Sequence, residues 1–583
     1  MLGRSLQDRL WPAVVGAWLL ALALSAYSWG KRIPHLLFPD PDDAMRLMQV
    51  RDWLAGQSWW DVAQHRLNGG DFPMHWSRLV DLPIAATLLV FDPLVGPALA
   101  DRVAGAIVPA ATLLVILALC AALTRRLAGP EAARLAVLVV PLAIPILIQV
   151  QPMRLDHHAW QIACAVAALI PLAGRADARN GALSGLALAT LLTISLEGLP
   201  FTVAAAGVAA LAWAFEPARR AFLLAQLWTL AGAAALMHGA TRGPGFMLSA
   251  CDAVSPVWLA ALAAAAAGVA VATRLPAPDM RWRVGALVPA ALASAAVLLL
   301  IEPRCASGPF ATLPPLVRDL WYDSVREGLP VWRQLPVVAA ATLGLPLFGI
   351  VGTWLAWRDA AAERRPAWAI TLAVLVAATI VAATVIRAGG VANAVATPGA
   401  AVLLLRLLRR ARAIGSLVPR VVATAGALLL ASPGVAFAAL ASLGGAAEEA
   451  APADGPEPCT EFADIRAVRA LPPSVVFAPI DVTPDMLATS AHRGISGGYH
   501  RNADAIHFVF RTFTAPPESA REMVEGTGAA YVAGCPGLNE TELYKYVAPN
   551  GLWARLERGD APDWLRPVRL PGSPVRVWRV IRR

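Results

Sequence analysis

Charge is scarce in this chain, and lysine is nearly missing. Of 583 residues only 15% are Asp, Glu, Lys or Arg, where a soluble protein carries about 25%. That deficit excludes an ordinary soluble enzyme. Disorder is excluded by the opposite excess, since 57% of the residues are hydrophobic and apolar surface is abundant. Strands alternating polar and apolar residues are missing too, which argues against a transmembrane β-barrel. No phosphate-cradling G-x-x-x-x-G-K-[ST], no Cys-x-x-Cys and no serine nucleophile elbow occurs, so ATPase and dithiol chemistry have no sequence support. Lysine is confined to Lys31 and Lys545, so 47 of the 49 basic residues are arginines. With the high alanine content this reads as a GC-rich bacterial composition.

What is present is a succession of apolar runs near 20 residues, the length that crosses a bilayer as a helix. They fall at 11–29, 101–123, 133–150, 158–173, 181–196, 200–215, 221–240, 254–273, 284–302, 335–357, 367–386, 393–408 and 421–442, about 13 spans. The stretch 82–97 reads as a re-entrant or interfacial piece. Net charge is +9 and the isoelectric point near 9.7, but the arginines are dispersed in short inter-helix loops, which removes nucleic acid as a partner. Arg4 and Arg9, then Arg125, Arg126, Arg134, Arg175, Arg179, Arg219, Arg220, Arg274, Arg281, Arg283, Arg358, Arg364, Arg365, Arg406, Arg409, Arg410, Arg412 and Arg420 all fall on one side. The opposite short loops hold little beyond Arg154, Arg242 and Arg387. By the positive-inside rule the N-terminus is cytoplasmic, and an odd span count puts the C-terminus outside. The first apolar run is long and lacks a cleavage site, so it reads as a retained span.

The expected organisation is a membrane domain over 1–442, a flexible Gly-, Pro- and acid-rich linker over 443–458, and a periplasmic α/β domain over 459–583. Strands are expected at 474–480, 529–533 and 575–581, with helices near 502–512, 516–527 and 540–547. Two long external loops, 30–80 and 303–334, interrupt the membrane domain. Cys459 and Cys535 share the external domain and are expected to pair in an oxidising compartment. Cys251 and Cys305 lie in neighbouring external loops and offer a second pair. Cys120 and Cys164 fall in spans as small apolar residues.

Ionisable groups near a membrane are costly and point to function where they converge. Asp40-Pro41-Asp42-Asp43 puts three carboxylates in four residues, suited to a hard divalent cation or equally to the start of a helix. Both hold if Asp42 caps and Asp43 projects. Arg154-Leu155-Asp156-His157-His158 fills a very short external loop, where Asp156 and His158 can share one metal; imidazole widens the choice from magnesium to manganese or zinc. Tyr322-Asp323-Ser324-Val325-Arg326-Glu327 offers Glu327. Glu197 and Arg387 sit at outer span ends, and a guanidinium there suits phosphate or simply snorkels. His75 and Arg78 lie in a polar, aromatic stretch of the first loop. Tyr499, His500 and Arg501 occupy a Gly-rich turn of the C-terminal domain, able to cover the site or meet an acceptor.

In this order the pieces resemble the GT-C membrane glycosyltransferases, and most of all the catalytic subunit of oligosaccharyltransferase in its archaeal form. The resemblance rests on the first-loop Asp, the Asp156-His157-His158 element and Ser324-Val325-Arg326-Glu327, and spans roughly residues 1–440. It implies a GT-C-like membrane domain with a periplasmic α/β domain, lying in the bacterial inner membrane as a monomer. It implies transfer of a sugar from a polyprenyl-(di)phosphate donor to an unidentified acceptor, by a direct displacement that inverts the anomeric carbon. By the resemblance Asp43, Asp156 and His158 hold a divalent metal, Mg²⁺ or Mn²⁺. Asp43, Asp42 and Glu327 serve catalysis. Arg387, His157, Glu197, His75 and Arg78 meet the donor phosphate or substrate, and Tyr499, His500 and Arg501 the acceptor. One departure is plain. The family reads its peptide acceptor through a Trp-Trp-Asp motif in the C-terminal domain, whereas here Trp59-Trp60-Asp61 lies in the first loop. A glycolipid, polysaccharide or other protein site therefore replaces the sequon as the expected acceptor. Transferases using polyprenyl monophosphate sugars share the first-loop acids, and a transporter or glycan flippase is the rival class, for which acids near the bilayer midplane are expected.

Overall fold

The computed structural model describes residues 10–437 and 458–582. Arg4, Arg9, nearly all of the 443–458 linker and the end of the last expected span lie outside the described residues. Each expected apolar run forms helix. These are α1 (Trp11–Trp29), α4 (Pro97–Ala128), α5 (Pro130–Val139), α6 (His158–Leu172), α7 (Ala178–Ile194), α8 (Leu199–Phe215), α9 (Arg220–Arg242), α10 (Pro256–Ala272), α11 (Met280–Ile301), α12 (Pro336–Asp359), α13 (Arg365–Thr384), α14 (Gly389–Arg412) and α15 (Leu417–Ala431). Between α1 and α4 lie α2 (Pro41–Leu54) and α3 (Arg78–Val95), the latter at the piece expected to be re-entrant or interfacial.

The chain is a multi-pass membrane protein. Among the described residues eight helices are long and apolar enough to cross, or nine if one bent pair is a single span. Helices α6, α10 and α15 are apolar and shorter. The bent pair is the run expected over 133–150. Pro141 and Pro145 flank a break at Ala143, and the two halves meet at 69°, as expected where proline removes a donor and clashes with the preceding turn.

The arginine-rich ends gather at one end of the bundle. Arg409 pairs with Glu131 and Arg406 with Asp359, while Arg283 donates to the Ala214 carbonyl. The long loops and the C-terminal domain lie at the other end. Helices α12 and α14 pack backbone to backbone. A Cβ on Gly352 would stand 1.9 Å from the Gly399 oxygen, the small-residue contact by which apolar helices associate without a hydrophobic driving force.

The C-terminal domain is a four-stranded sheet in the order β1-β2-β4-β3, with β1 (Val476–Phe477) parallel to β2 (Tyr531–Gly534), and β4 (Arg576–Val580) antiparallel to β2 and to β3 (Leu565–Val568). Helices occupy 503–514, 517–526 and 539–547 as expected, and 483–489 and 552–557 besides. Its core is aromatic, with Phe477, Phe510, Phe513, Tyr544, Trp553 and Trp578 buried together. That core does not close on itself. Leu313, Val317 and Leu320 of the second long loop enter it, and Met45, Leu67, Phe72, Met74 and Trp76 of the first loop share a second core with Val482, Met486 and Tyr499. Backbone bonds seal the junction, Gly494 N–H to Arg66 O at 2.8 Å and Asn68 N–H to Ile495 O at 3.1 Å. Both expected disulfides are present, Cys251–Cys305 and Cys459–Cys535.

Gly352→Val forces α12 away from α14. Overpacking of this kind costs about 1–3 kcal/mol or more, so the variant is expected to lose melting temperature in a thermal-shift assay, whereas Gly16→Val, which meets no neighbour, leaves it unchanged.

Candidate active site

The acidic run opens α2, and its residues take roles set by that start. Asp40 is extended (φ −148°, ψ 147°) and accepts the Asp42 amide at 3.0 Å, with Pro41 at the first helical position. The cap is therefore Asp40, and the expected roles of its neighbours are exchanged. Asp42 lines the cavity. Asp43 is fully buried, and its carboxylate accepts Leu155 N–H at 2.7 Å, Asp156 N–H at 2.9 Å and Arg154 Nη1 at 3.2 Å. Asp43 thus sets the Arg154–His158 loop rather than projecting toward a ligand. The turn before that loop is strained. Met153 holds φ +70°, costly for a residue with a side chain, while its amide bonds Gly105 O at 2.7 Å.

Asp156 is the hub. His157 Nδ1 lies 2.6 Å from Oδ1 and His158 Nε2 3.1 Å from Oδ2. Arg46 stands at 3.5 Å and Arg154 at 3.7 Å. Arg46 is held in turn by Asp81 at 3.0 Å and by the Trp76 ring, 4.4 Å away. Glu197 faces both imidazoles at 3.5 Å and binds Arg387 at 2.5 Å. Arg387 also binds Glu327 of the second loop. One continuous network therefore joins Asp43, Asp156, His157, His158, Glu197, Arg387 and Glu327, drawn from five segments of the chain.

The network borders a cavity of about 520 Å³. Ile162, Leu191, Phe201, Val381 and Val391 give it apolar walls, and Asp42, His158, Glu197 and Arg387 charge one part of its lining. His75, Tyr499 and His500 line it as well. Two expected substrate residues do not. Arg78 is locked beneath the first loop, donating to Trp59 O, Asp61 O and Asp81, and Arg501 is spent on Asp252 and Met74 O. Trp59 and Trp60 donate their indole N–H groups to Ala240 O near the end of α9, a structural use of the Trp-Trp-Asp triplet. Polar residues of the cavity lining that were not anticipated include Gln149, Gln161, Ser195 and Asp252. Asp252 had one sequence signal, its place beside Cys251.

The electrostatics follow from crowding. Burial and the neighbouring Asp40, Asp156 and Glu327 push Asp42 well above the ordinary carboxylate range, against the pull of Arg387. Burial takes Asp43 to about 7, opposed by Arg154. Burial also works to raise Asp156, but His157, His158 and Arg154 outweigh it and hold it well below the usual value. For His157 burial works downward, and Asp156 and Glu197 prevail, giving about 9. The donor set suits a divalent cation. Ligand atoms of Asp156, His157 and His158 lie within 4.8 Å of one another. Asp156 Oδ2 and His157 Nε2 are buried and, beyond their ion pairs with His158 and Glu197, make no directed hydrogen bond, which is costly unless something fills the role.

No protein-family model and no curated protein sequence matches the chain. Solved structures do. The oligosaccharyltransferase AglB of the archaeon Archaeoglobus fulgidus, in complex with an inhibitory peptide and a dolichol-phosphate, aligns at TM-score 0.66 and 16% identity over 95% of this chain and 72% of its own. The apo form of the same enzyme aligns at 0.65 and 17% over 95% and 73%, and its complex with zinc and sulfate at 0.58 and 17% over 93% and 70%. The chain shares the fold of these structures, a polytopic helical domain with a C-terminal α/β domain.

Asp43→Ala strands the Leu155 and Asp156 amides, at about 1–3 kcal/mol for each buried group left unpaired. Hydrogen exchange over 153–158 is expected to rise at least tenfold in Asp43→Ala and to stay near wild type in Asp42→Ala.

Proposed function

We propose that this protein is a membrane glycosyltransferase that moves a sugar from a polyprenyl-(di)phosphate donor to an acceptor at the periplasmic face of the bacterial inner membrane. The observation that carries the reading is the pairing in one cavity of apolar helix walls with a compact set of metal-ligating and cationic groups. A donor with a lipid tail and a phosphate has the same two-part chemistry. The similar archaeal enzyme holds dolichol-phosphate in one structure, and zinc with sulfate in another.

Asp156 and His158, whose ligand atoms lie together, would hold Mg²⁺ or Mn²⁺ with Asp42 facing the same cavity, and the ion's charge would offset that of the phosphate leaving group. A cation there also relieves the repulsion among Asp40, Asp42, Asp156 and Glu327. Asp43 keeps the Asp156 loop in place, and His157, charged at neutral pH, adds a second positive group beside Asp156. Arg387 presents a guanidinium whose buried Nε is unpartnered, and binds donor phosphate oxygens while Glu197 and Glu327 fix its plane. Glu327 lies on the second loop, where it accepts the proton of an acceptor hydroxyl. The acceptor oxygen bonds to the anomeric carbon as the carbon–oxygen bond to phosphate breaks, so one displacement inverts that carbon. The C-terminal domain carries no Trp-Trp-Asp, and an acceptor other than a sequon peptide follows. A flippase would place its ionisable groups near the bilayer midplane, and here they stand at the end of the bundle that bears the loops.

The test is transfer from defined polyprenyl mono- and diphosphate sugars by the full chain in nanodiscs. Asp156→Ala and Arg387→Ala are expected to lower kcat/KM by about 10²–10³. Chelation should abolish transfer, and Mn²⁺ or Mg²⁺ restore it. Full activity in both variants would overturn the assignment of these residues, and wild type that turns over no donor would overturn the enzyme reading.

A further inference from the structure

Across the cavity from Asp42 lies a second cluster that the proposed transfer does not use. His75 comes from the first loop, Asp252 from the loop between α9 and α10, and His500 from the C-terminal domain. One ligand atom from each lies within 4.8 Å of the others, and all three residues line the cavity. His500 Nε2 stands 2.8 Å from Asp252 Oδ2, and the His75 and His500 rings are 4.8 Å apart. His75 Nδ1 is buried and has no hydrogen-bond partner. A ring nitrogen left so in a converging set of nitrogen and oxygen donors is a ligand position awaiting an acceptor of its lone pair, or a donor awaiting a base.

We propose that His75, Asp252 and His500 form a second metal site, for a zinc-class transition ion, that fastens the C-terminal domain to the membrane domain. Two imidazoles and one carboxylate favour zinc or a neighbouring first-row ion over magnesium, which prefers oxygen donors. The surroundings hold the three ligands in place. The Cys251–Cys305 disulfide anchors the loop that carries Asp252. Arg501 binds both Asp252 oxygens, at 2.7 and 2.8 Å, and also Met74 O, next to His75. Arg242 donates to His75 O at 3.0 Å. These are orienting bonds of the kind that surround metal ligands. Arg501 occupies one lone pair on each Asp252 oxygen, and a carboxylate has about four acceptor sites, so a lone pair remains for a cation. The site is distinct from the Asp156 cluster, shares no ligand with it and stands whether or not the chain transfers sugars.

The experiment is Zn²⁺ titration of the full chain, stripped with chelator and reconstituted in nanodiscs, with bound metal counted by elemental analysis after desalting. Wild type is expected to retain two equivalents. Asp156→Ala/His158→Ala should retain one, and His75→Ala/His500→Ala the other one. Asp252→Asn, which preserves shape and one oxygen, should weaken the second equivalent at least about 100-fold. Zn²⁺ should also slow hydrogen exchange across 495–503 in wild type and in Asp156→Ala/His158→Ala, but not in His75→Ala/His500→Ala. Unchanged zinc content in His75→Ala/His500→Ala overturns the proposal, as does a wild type that binds a single equivalent lost with Asp156. If both His variants misfold, zinc-independent exchange over 495–503 in wild type overturns it alone. A cluster serving only as an Asp252–Arg501 ion pair gives that same zinc-independent result.

Discussion

The candidate site depends on one buried carboxylate. Asp43 accepts two consecutive amides and a guanidinium from a loop more than 100 residues away, and so joins the helix that opens the first loop to the loop that carries Asp156. A carboxyl buried at such a place is tolerable only when its lone pairs are filled. The three donors fill them, and in doing so fix where Asp156, His157 and His158 stand. The strained Met153 shows how closely the turn is determined. The network from Asp156 through Glu197 to Glu327 is built outward from that point.

Charge around the site alternates in sign. Arg46, Arg154 and Arg387 are each set between carboxylates, and the two histidines between Asp156 and Glu197. This arrangement keeps several carboxylates close together in a poorly hydrated place without requiring all to be protonated. It also makes the set responsive to a doubly charged cation, since the crowded acids are Asp40, Asp42, Asp156 and Glu327, whereas Arg78, Arg501 and Asp81 are already matched. The polar groups that hold the scaffold are thereby separated from those free to meet a ligand.

Much of this was legible from the sequence, because apolar runs and positive loops obey simple physical rules. Every expected run became helix, and both cysteine pairs formed. Asp156, His157, His158, Glu197, Arg387 and Glu327 converge as their types suggested. What failed did so for local reasons. Moving the helix cap back to Asp40 exchanged Asp42 and Asp43, because adjacent helical positions point about 100° apart. Arg78 looked like a ligand for phosphate until the carbonyls of Trp59 and Asp61 were seen around it. The strand Leu565–Val568 was hidden by Pro567 and two neighbouring polar positions, tolerable on the edge strand it forms. Asp252 was a lone acid in a short loop, and only the fold brings His75 and His500 to it. The run over 158–173 folds into a 15-residue helix and the run over 133–150 is broken at Ala143, two features that apolar composition does not reveal.

The core shared by the first loop and the C-terminal domain has a consequence for biogenesis. Arg66 reaches the carbonyl of Ser490 across 424 residues, and Met45, Phe72 and Trp76 lie against side chains that leave the ribosome long after them. At about 5–20 residues per second, the first loop waits on the order of 20–85 s for the partner that covers it. During that interval its apolar face must be guarded by something else, so the site is completed only once both segments have been made and is a property of neither half alone.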